Sequence, residues 1–387
     1  MKVSFHIVNS YDSNIIKEKI KKAVDNIGGV SNFFSNDDKI LLKPNLLASD
    51  SPETGVITHP VFFEGVVKFL LEESKKNNIK LNISCGDSPA MSSGTKVAKD
   101  CGIFQICEKY NIPFIEFKEK AQLEGSKKNI IKNFEVSSEV LNFDKIISLP
   151  KLKNHSLTVF TGGIKNLFGC IVGKTKAYYH TRFPDSVIFS KMLVDLADSL
   201  KTGICIMDGI IAHEGDGPRG GNPIKLDYLI VGENPFIVDL LASTLVGYDP
   251  EQIPFLKYYS EKHGISINIK DHEIYGETLI FRKDFKRIQI YKKSSIPKRF
   301  RKGFIFNNII SSRPVFDRSK CILCMQCYNI CPTNPKSIKL INEKNNIKKL
   351  IYNYDTCIRC FCCQEICPHK AINIKHSIVG KILKKLQ

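Results

Sequence analysis

Two short runs of cysteine are the residues of this 387-residue chain most able to do chemistry. The first reads Cys321-Ile-Leu-Cys324-Met-Gln-Cys327-Tyr-Asn-Ile-Cys331-Pro332. The second, 36 residues on, reads Cys357-Ile-Arg-Cys360-Phe-Cys362-Cys363-Gln-Glu-Ile-Cys367-Pro368. Both fit C-x2-C-x2-C-x3-C-P, a spacing that holds 4Fe-4S clusters. Its short gaps let three thiolates of one tight loop take three iron corners of a cubane, so a fourth thiolate must come from elsewhere. Structural zinc gives no reason for a third and fourth Cys followed by Pro, twice over. Disulfides do not suit adjacent tight loops in a chain without an export signal.

The two runs resemble the two-cluster bacterial ferredoxins over about residues 313–376. In such proteins the fourth Cys of each run ligates the other cluster. The resemblance therefore implies two 4Fe-4S clusters, one on Cys321, Cys324, Cys327 and Cys367, the other on Cys357, Cys360, Cys363 and Cys331. Cys362, one residue before a ligand, is not expected to reach the same cluster.

Composition bounds the rest. Hydrophobic content of 43% with 25% charged residues is globular, and no apolar run is long enough to span a bilayer. The N-terminus lacks the apolar core of a signal peptide, and six further cysteines are scattered, five of them in apolar surroundings. This reads as a reduced, cytoplasmic protein of an organism living with little oxygen. Net charge is +18, with its densest basic run from Arg282 to Lys302. That run reads as a solvated linker, or as a dock for an acidic redox partner or an anionic membrane surface. No nucleic-acid-binding module accompanies it.

The elements that must position a site come before the cysteines. Strand patterns at 3–8, 39–43, 79–85, 113–117, 145–149, 203–207 and 226–231 alternate with helical patterns at 14–26, 60–73, 95–110, 187–200 and 236–246. Asn234-Pro235 supplies an N-cap and a first-turn proline for the last of these. Residues 118–143 read as charged and partly looped. Alternating strands and helices argue an α/β domain around a mostly parallel sheet over residues 1–281. A basic linker (282–312), a small α+β ferredoxin-like module (313–376) and a basic tail (377–387), able to form a short amphipathic helix, complete the chain.

In open parallel sheets, ligands bind beyond the carboxyl ends of the strands. There the sequence puts Lys43-Pro44-Asn45, Gly86-Asp87-Ser88-Pro89, Lys151 to His155, and Asp208 with the glycine loop His213 to Gly221. Lys151 and Lys153, with the titratable ring of His155, suit a carboxylate or phosphate. Asp87 reads either as a helix N-cap or as a site residue. Gly162-Gly163 ahead of Lys165-Asn166 reads equally as an anion cradle or a packing turn. Asp239 reaches either a buried partner or the site. The segment Gly169 to Thr175 is one residue short of a P-loop, and no G-x-G-x-x-G follows a strand, so nothing supports a bound nucleotide.

Leu42 to Asn45, Thr58-His59-Pro60, Gly86 to Pro89, Leu149 to His155 and Gly162 to Gly169 together resemble the family of the domain of unknown function number 362. Its members often carry a C-terminal ferredoxin module, and its fold is thought to be distantly similar to part of lactate-racemase-like enzymes. Asn234-Pro235 stands here where many members have Asp-Pro. The reading that follows is a redox enzyme. Lys151, Lys153, Lys165 and Asn166 bind an anionic substrate, and His155, Asp87 or Asp208 move protons. The alternatives are a non-catalytic electron-transfer or assembly protein that docks an acidic partner, and a non-redox enzyme with structural clusters.

Overall fold

The computed structural model describes residues 1–288, 312–342 and 348–375. The first body is built on a sheet whose strands are β1 (Lys2–Ile7), β2 (Lys39–Pro44), β3 (Asn82–Asp87), β4 (Phe114–Glu116), β7 (Lys145–Leu149), β8 (Lys151–His155), β9 (Val159–Thr161), β10 (Thr202–Glu214), β11 (Asn222–Gly232) and β12 (Glu273–Gly276). Its order is β12-β1-β11-β10-β7-β2-β3-β4, with β8 on β10 and β9 on β8. Pairings are parallel except β1 with β11, β10 with β11, and β8 with β9. The fold is therefore a mixed, mostly parallel α/β sheet.

Central β2 shows why. Ile40 and Leu42 point into one core with Ile16, Ile20, Phe62 and Phe63 of the helices Ser13–Asn26 and Pro60–Lys76. Leu41 points into the other, with Phe189, Leu193, Phe236 and Leu240 of the helices Ser186–Ser199 and Pro235–Leu245. A strand buried on both faces must be apolar throughout, and this one is until Lys43. Asn234 caps its helix as expected, accepting from the Ile237 N–H at 3.1 Å.

The structure corrects several sequence boundaries. The helix expected over 95–110 is two helices, Gly94–Asp100 and Ile103–Lys109, because Gly102 takes a left-handed φ of +84° between them. Within 118–143 an antiparallel hairpin forms from β5 (Lys120–Glu124) and β6 (Asn133–Ser137). Lys151 to His155 is not a strand end but strand β8, with all five residues buried. Its polar side chains disguised it, and each of the first four finds a place inside the protein. Likewise β10 runs six residues past Asp208, through an irregularity at Gly209 to Ile211.

The cluster module pairs β13 (Arg313–Phe316) with β16 (Ile372–Lys375), and β14 (Ile338–Asn342) with β15 (Lys348–Tyr352). Two short helices, Gln326–Ile330 and Cys362–Ile366, follow the cysteine loops. Most of the basic run 282–302 and the tail helix of 377–387 lie outside the described residues. Residues 282–288 lie against the first body, where the Lys286 N–H donates to Glu214 at 2.8 Å.

Asp239 and the Gly162-Gly163 turn settle each other. The buried carboxylate of Asp239 accepts from the N–H groups of Gly163 at 2.6 Å and Ile164 at 3.0 Å. The donors are taken, so this is a packing turn and not a cradle for an outside anion. A Cβ on Gly162 would lie 1.9 Å from the Asp239 Oδ1. Gly162→Ala is therefore expected to lower stability by roughly 2 kcal/mol or more, the usual result of overpacking a core. Urea unfolding that leaves the midpoint unchanged would show that the turn has room.

Candidate functional site

Each cysteine set encloses its own cavity. Cys321, Cys324, Cys327 and Cys367 line one, with Phe316, Leu350 and Ile372 around them. Cys331, Cys357, Cys360 and Cys363 line the other, with Ile338, Tyr352 and Phe361. The loops are built alike: Leu323 and Met325 in the first run have φ of +58° and +62°, and Arg359 and Phe361 in the second have +60° and +62°. Left-handed conformations at four non-glycine residues are costly, so a loop that repeats them holds its curl for a purpose. The chemistry of the donors fits an iron–sulfur cluster, since soft thiolates surround a space in an apolar shell. Among the described residues no group of His, Cys, Asp or Glu is arranged to hold a single metal ion.

Cys362 faces away from its neighbours' cavity and lines a third one, between the two bodies. On the module side that cavity is closed by Ile330, Cys362, Glu365 and Ile366. Lys43, Lys153, Lys165 and Lys176 face it from the α/β body, together with His155 and His180. Ile330 adjoins Cys331, and Cys360 packs with Ile330, Cys362, Ile366, Ala90 and Ala177 in one apolar seam. The second cysteine set is thus the one beside the pocket.

The pocket is a place of excess positive charge. Lys43 is held by Asp87 at 2.7 Å, by the Pro44 carbonyl at 2.8 Å and by Asn166 at 3.3 Å. Gly169 makes that pairing possible, because a Cβ there would lie 2.3 Å from Asp87 and 2.4 Å from the Lys43 Nζ. Lys153 donates to Asn45 at 2.8 Å and to the Val56 carbonyl at 2.7 Å. Lys176 donates to the carbonyls of Ser88, at 2.6 Å, and of Ile171. Among the described residues neither of these two has a carboxylate partner, and burial pushes both ammonium groups down to about 7. Burial also lowers Lys165, which lies 5.0 Å from the Phe168 ring and makes no hydrogen bond among the described residues.

Polar atoms without partners cluster beside Lys165. The His155 Nδ1 accepts from the N–H groups of Leu157 at 3.1 Å and Thr158 at 3.4 Å, which fixes the proton of the neutral ring on Nε2. That Nε2 is buried and unbonded, as are the Thr161 Oγ1 and the His180 Nδ1. Burial, with Lys165 nearby, keeps His155 well below its ordinary range and His180 down to about 3, so both rings are neutral. One cation, an N–H and a hydroxyl therefore face the cavity unsatisfied, a donor set suited to an anion.

Of the residues chosen from sequence, Asp87, Lys153, His155, Lys165 and Asn166 line this pocket. Asn166 ties its parts together, donating to the Lys43 carbonyl at 2.9 Å and to Ser148 at 3.1 Å. Asp87 is also the partner of two backbone N–H groups, those of Leu46 at 2.7 Å and Ser88 at 2.8 Å. Lys151 and Asp208 lie elsewhere. They form a fully buried ion pair at 2.7 Å, closed over by the Tyr11 hydroxyl at 2.9 Å from Lys151 and 3.0 Å from Asp208.

Lys176, His180, Thr161 and Glu365 carried no local signal. The glycine loop after β10 has a different use from that expected of a strand end, because it docks the cluster module. Gln364 donates to the Asp216 carbonyl at 2.7 Å, Arg219 to the Ile366 carbonyl at 2.9 Å, and Lys370 to the Gly221 carbonyl at 3.0 Å. A Cβ on Gly220 would lie 2.5 Å from the Gln364 amide nitrogen. A side chain there would have to displace that amide and the Asp216 carbonyl, 2.8 Å away.

Comparison with known proteins agrees with both halves. A model of a domain of unknown function, number 362, matches residues 40–244. A 4Fe-4S dicluster domain model matches residues 313–368, so the chain has an iron–sulfur module of the electron-transfer type. A thylakoid-associated protein of Synechocystis is 34% identical over 246 residues, 63% of this chain and 74% of the relative. Among the described residues no helix is long and apolar enough to cross a membrane.

The lowered lysines give binding a pH signature. Burial lowers Lys153 and Lys176 from 10.5 to about 7. The unfolded chain binds more protons between those values, so this contribution to stability is present above the unfolded pKa and lost as pH falls through the folded one. A bound anion favours the charged forms. Binding at about pH 8 is therefore expected to take up protons, and affinity to fall as pH rises above about 7. Calorimetry in buffers of different ionisation enthalpy measures this; pH-independent binding without proton exchange would contradict it.

Proposed function

As this chain belongs to the family of the domain of unknown function number 362 and carries a 4Fe-4S dicluster domain, we propose that it is a redox protein acting on an anionic small molecule held between its two bodies. The observation that carries this reading is the shared wall: Cys362 and Glu365, on the helix that also bears Cys363, line the pocket with Lys153, His155 and Lys165. Two 4Fe-4S clusters, one per cysteine set, would supply single electrons at low potential when bound.

The residues of the pocket have separable tasks in this reading. Lys165, Thr161 and the His155 Nε2–H bind the anion, because these are the donors left without partners. Lys153 and Lys176 add charge from the next layer, and the Lys43–Asp87 pair fixes the end of β2. The neutral His155 ring, its Nδ1 held by two backbone N–H groups, presents Nε2–H to the ligand as a fixed hydrogen-bond donor. The apolar seam of Ile330, Cys362, Ile366 and Ala177 keeps bulk water from the path between the proximal cysteines and the pocket. An acidic single-electron carrier is the proposed donor, matched to a net charge of +18.

Protein purified without oxygen is expected to contain about eight iron and eight sulfide. Cys331→Ser should cost roughly half of that iron, while Cys362→Ser keeps all of it. Zinc in place of iron, or equal losses in both variants, would end this part of the reading. Lys165→Ala is expected to weaken binding of the anion by about ten- to a hundredfold, the range for a lost charged hydrogen bond. Unchanged affinity would move the substrate elsewhere.

A further inference from the structure

The walls of the pocket are complementary in a way that positive charge alone does not explain. The Glu365 carboxylate, delivered by the cluster module, stands 3.9 Å from the His155 Nε2. That is too far for a hydrogen bond. The carboxylate makes no hydrogen bond among the described residues, and the His155 Nε2 has no hydrogen-bond partner either, although the ring is only 2% exposed. A buried donor and a carboxylate acceptor thus face each other across a gap.

The separation is that of two groups bridged by one oxygen set to the side of the line between them. Two hydrogen bonds of about 2.8 Å that meet at one oxygen, at roughly a right angle or a little more, hold their outer atoms about 4 Å apart. A hydroxyl is the group that serves both sides, since it accepts from the Nε2–H and donates to the carboxylate. Lys165 and Thr161 line the same cavity with unused donors of their own, and these call for a negative charge.

Resting on the anion reading of this pocket, we propose that Glu365 is a specificity-determining residue and that the ligand is an anion bearing a hydroxyl group next to its charged end. The charged end lies against Lys165 and Thr161, and the hydroxyl bridges His155 and Glu365. Glu365 belongs to the cluster module, so the hydroxyl is read only when that module is docked on the glycine loop. A simple carboxylate or phosphate finds the cation but leaves the Glu365 carboxylate facing it without a donor, which is repulsive.

The test compares matched probes on the full-length, anaerobically purified protein: acetate with glycolate, and ethyl phosphate with 2-hydroxyethyl phosphate. Affinities are read by calorimetry or competition in wild type, Glu365→Gln and Lys165→Ala. The hydroxylated member of one pair is expected to bind the wild type at least tenfold more tightly than its partner. Whether that pair is the carboxylate or the phosphate one identifies the charged end. Glu365→Gln should erase most of this preference while the plain anion binds as well or better, with cluster absorbance unchanged. Lys165→Ala should weaken all probes together. Equal binding of both members in wild type, or a preference that survives Glu365→Gln, overturns the hydroxyl site but leaves the anion pocket standing. Failure of every probe to bind, or binding untouched by Lys165→Ala, overturns the anion reading itself.

Discussion

Burying an ammonium group is costly, and this protein turns four of them toward one cavity. Among the described residues only Lys43 of these four has a carboxylate at hydrogen-bonding distance, and removing Asp87 from that pair would be expected to cost about 3–5 kcal/mol. Lys153 and Lys176 are held by carbonyl and amide oxygens, and Lys165 by a ring face. A fold that buries Lys43 near the end of β2 and Lys153 in the middle of β8 has accepted charge that an anionic occupant would offset. The positions of Asn45, Asp87, Asn166 and Gly169 all follow from holding these cations in place.

The second constraint is docking. The pocket has no floor until the helix Cys362–Ile366 arrives, and the loop that receives it is made of glycines for steric reasons that can be stated residue by residue. A side chain at Gly217 would strike the Asn154 carbonyl at 2.1 Å, and one at Gly221 the Glu214 carbonyl at 1.8 Å. Asn154 is itself fixed by the carbonyls of Gly215 at 3.0 Å and Lys286 at 2.7 Å and by Tyr248 at 2.7 Å. The polar middle of β8 therefore serves two ends, with Lys153 and His155 turned to the cavity and Asn154 anchoring the loop that brings the cluster module to it.

The sequence carried the cysteine module in its spacing, because loop-borne ligands are encoded locally. It also carried the α/β plan, since apolar periodicity reports burial. Asp87, Lys153 and His155, picked at strand ends, meet in the pocket with Lys165 and Asn166 from the glycine turn, which follows from the rule that such sheets gather polar residues at their carboxyl edge. Pairing was not legible. Nothing local distinguishes Asp208, which neutralises Lys151 inside the protein, from Asp87, which neutralises Lys43 at the cavity wall. Glu365 was hidden between cysteines whose spacing explained the segment without it, and its role depends on a contact some 200 residues away along the chain with His155. The strand β8 was read as the end of the strand before it because burial of lysine, asparagine and histidine side by side is visible only once their partners are known.

The central claim is that the pocket and the nearer cysteine set form one electrostatic unit. The most direct measurement is a reductive titration of the anaerobic protein, followed by electron paramagnetic resonance, with wild type and Lys165→Met compared. Removing a buried cation beside one cluster disfavours its reduction. The expected result is a lower potential for one of two reducible centres, the one that Cys331→Ser abolishes, with the other unmoved. If both centres keep their potentials, or both shift alike, the pocket is not electrically joined to the nearer cluster and the account is wrong.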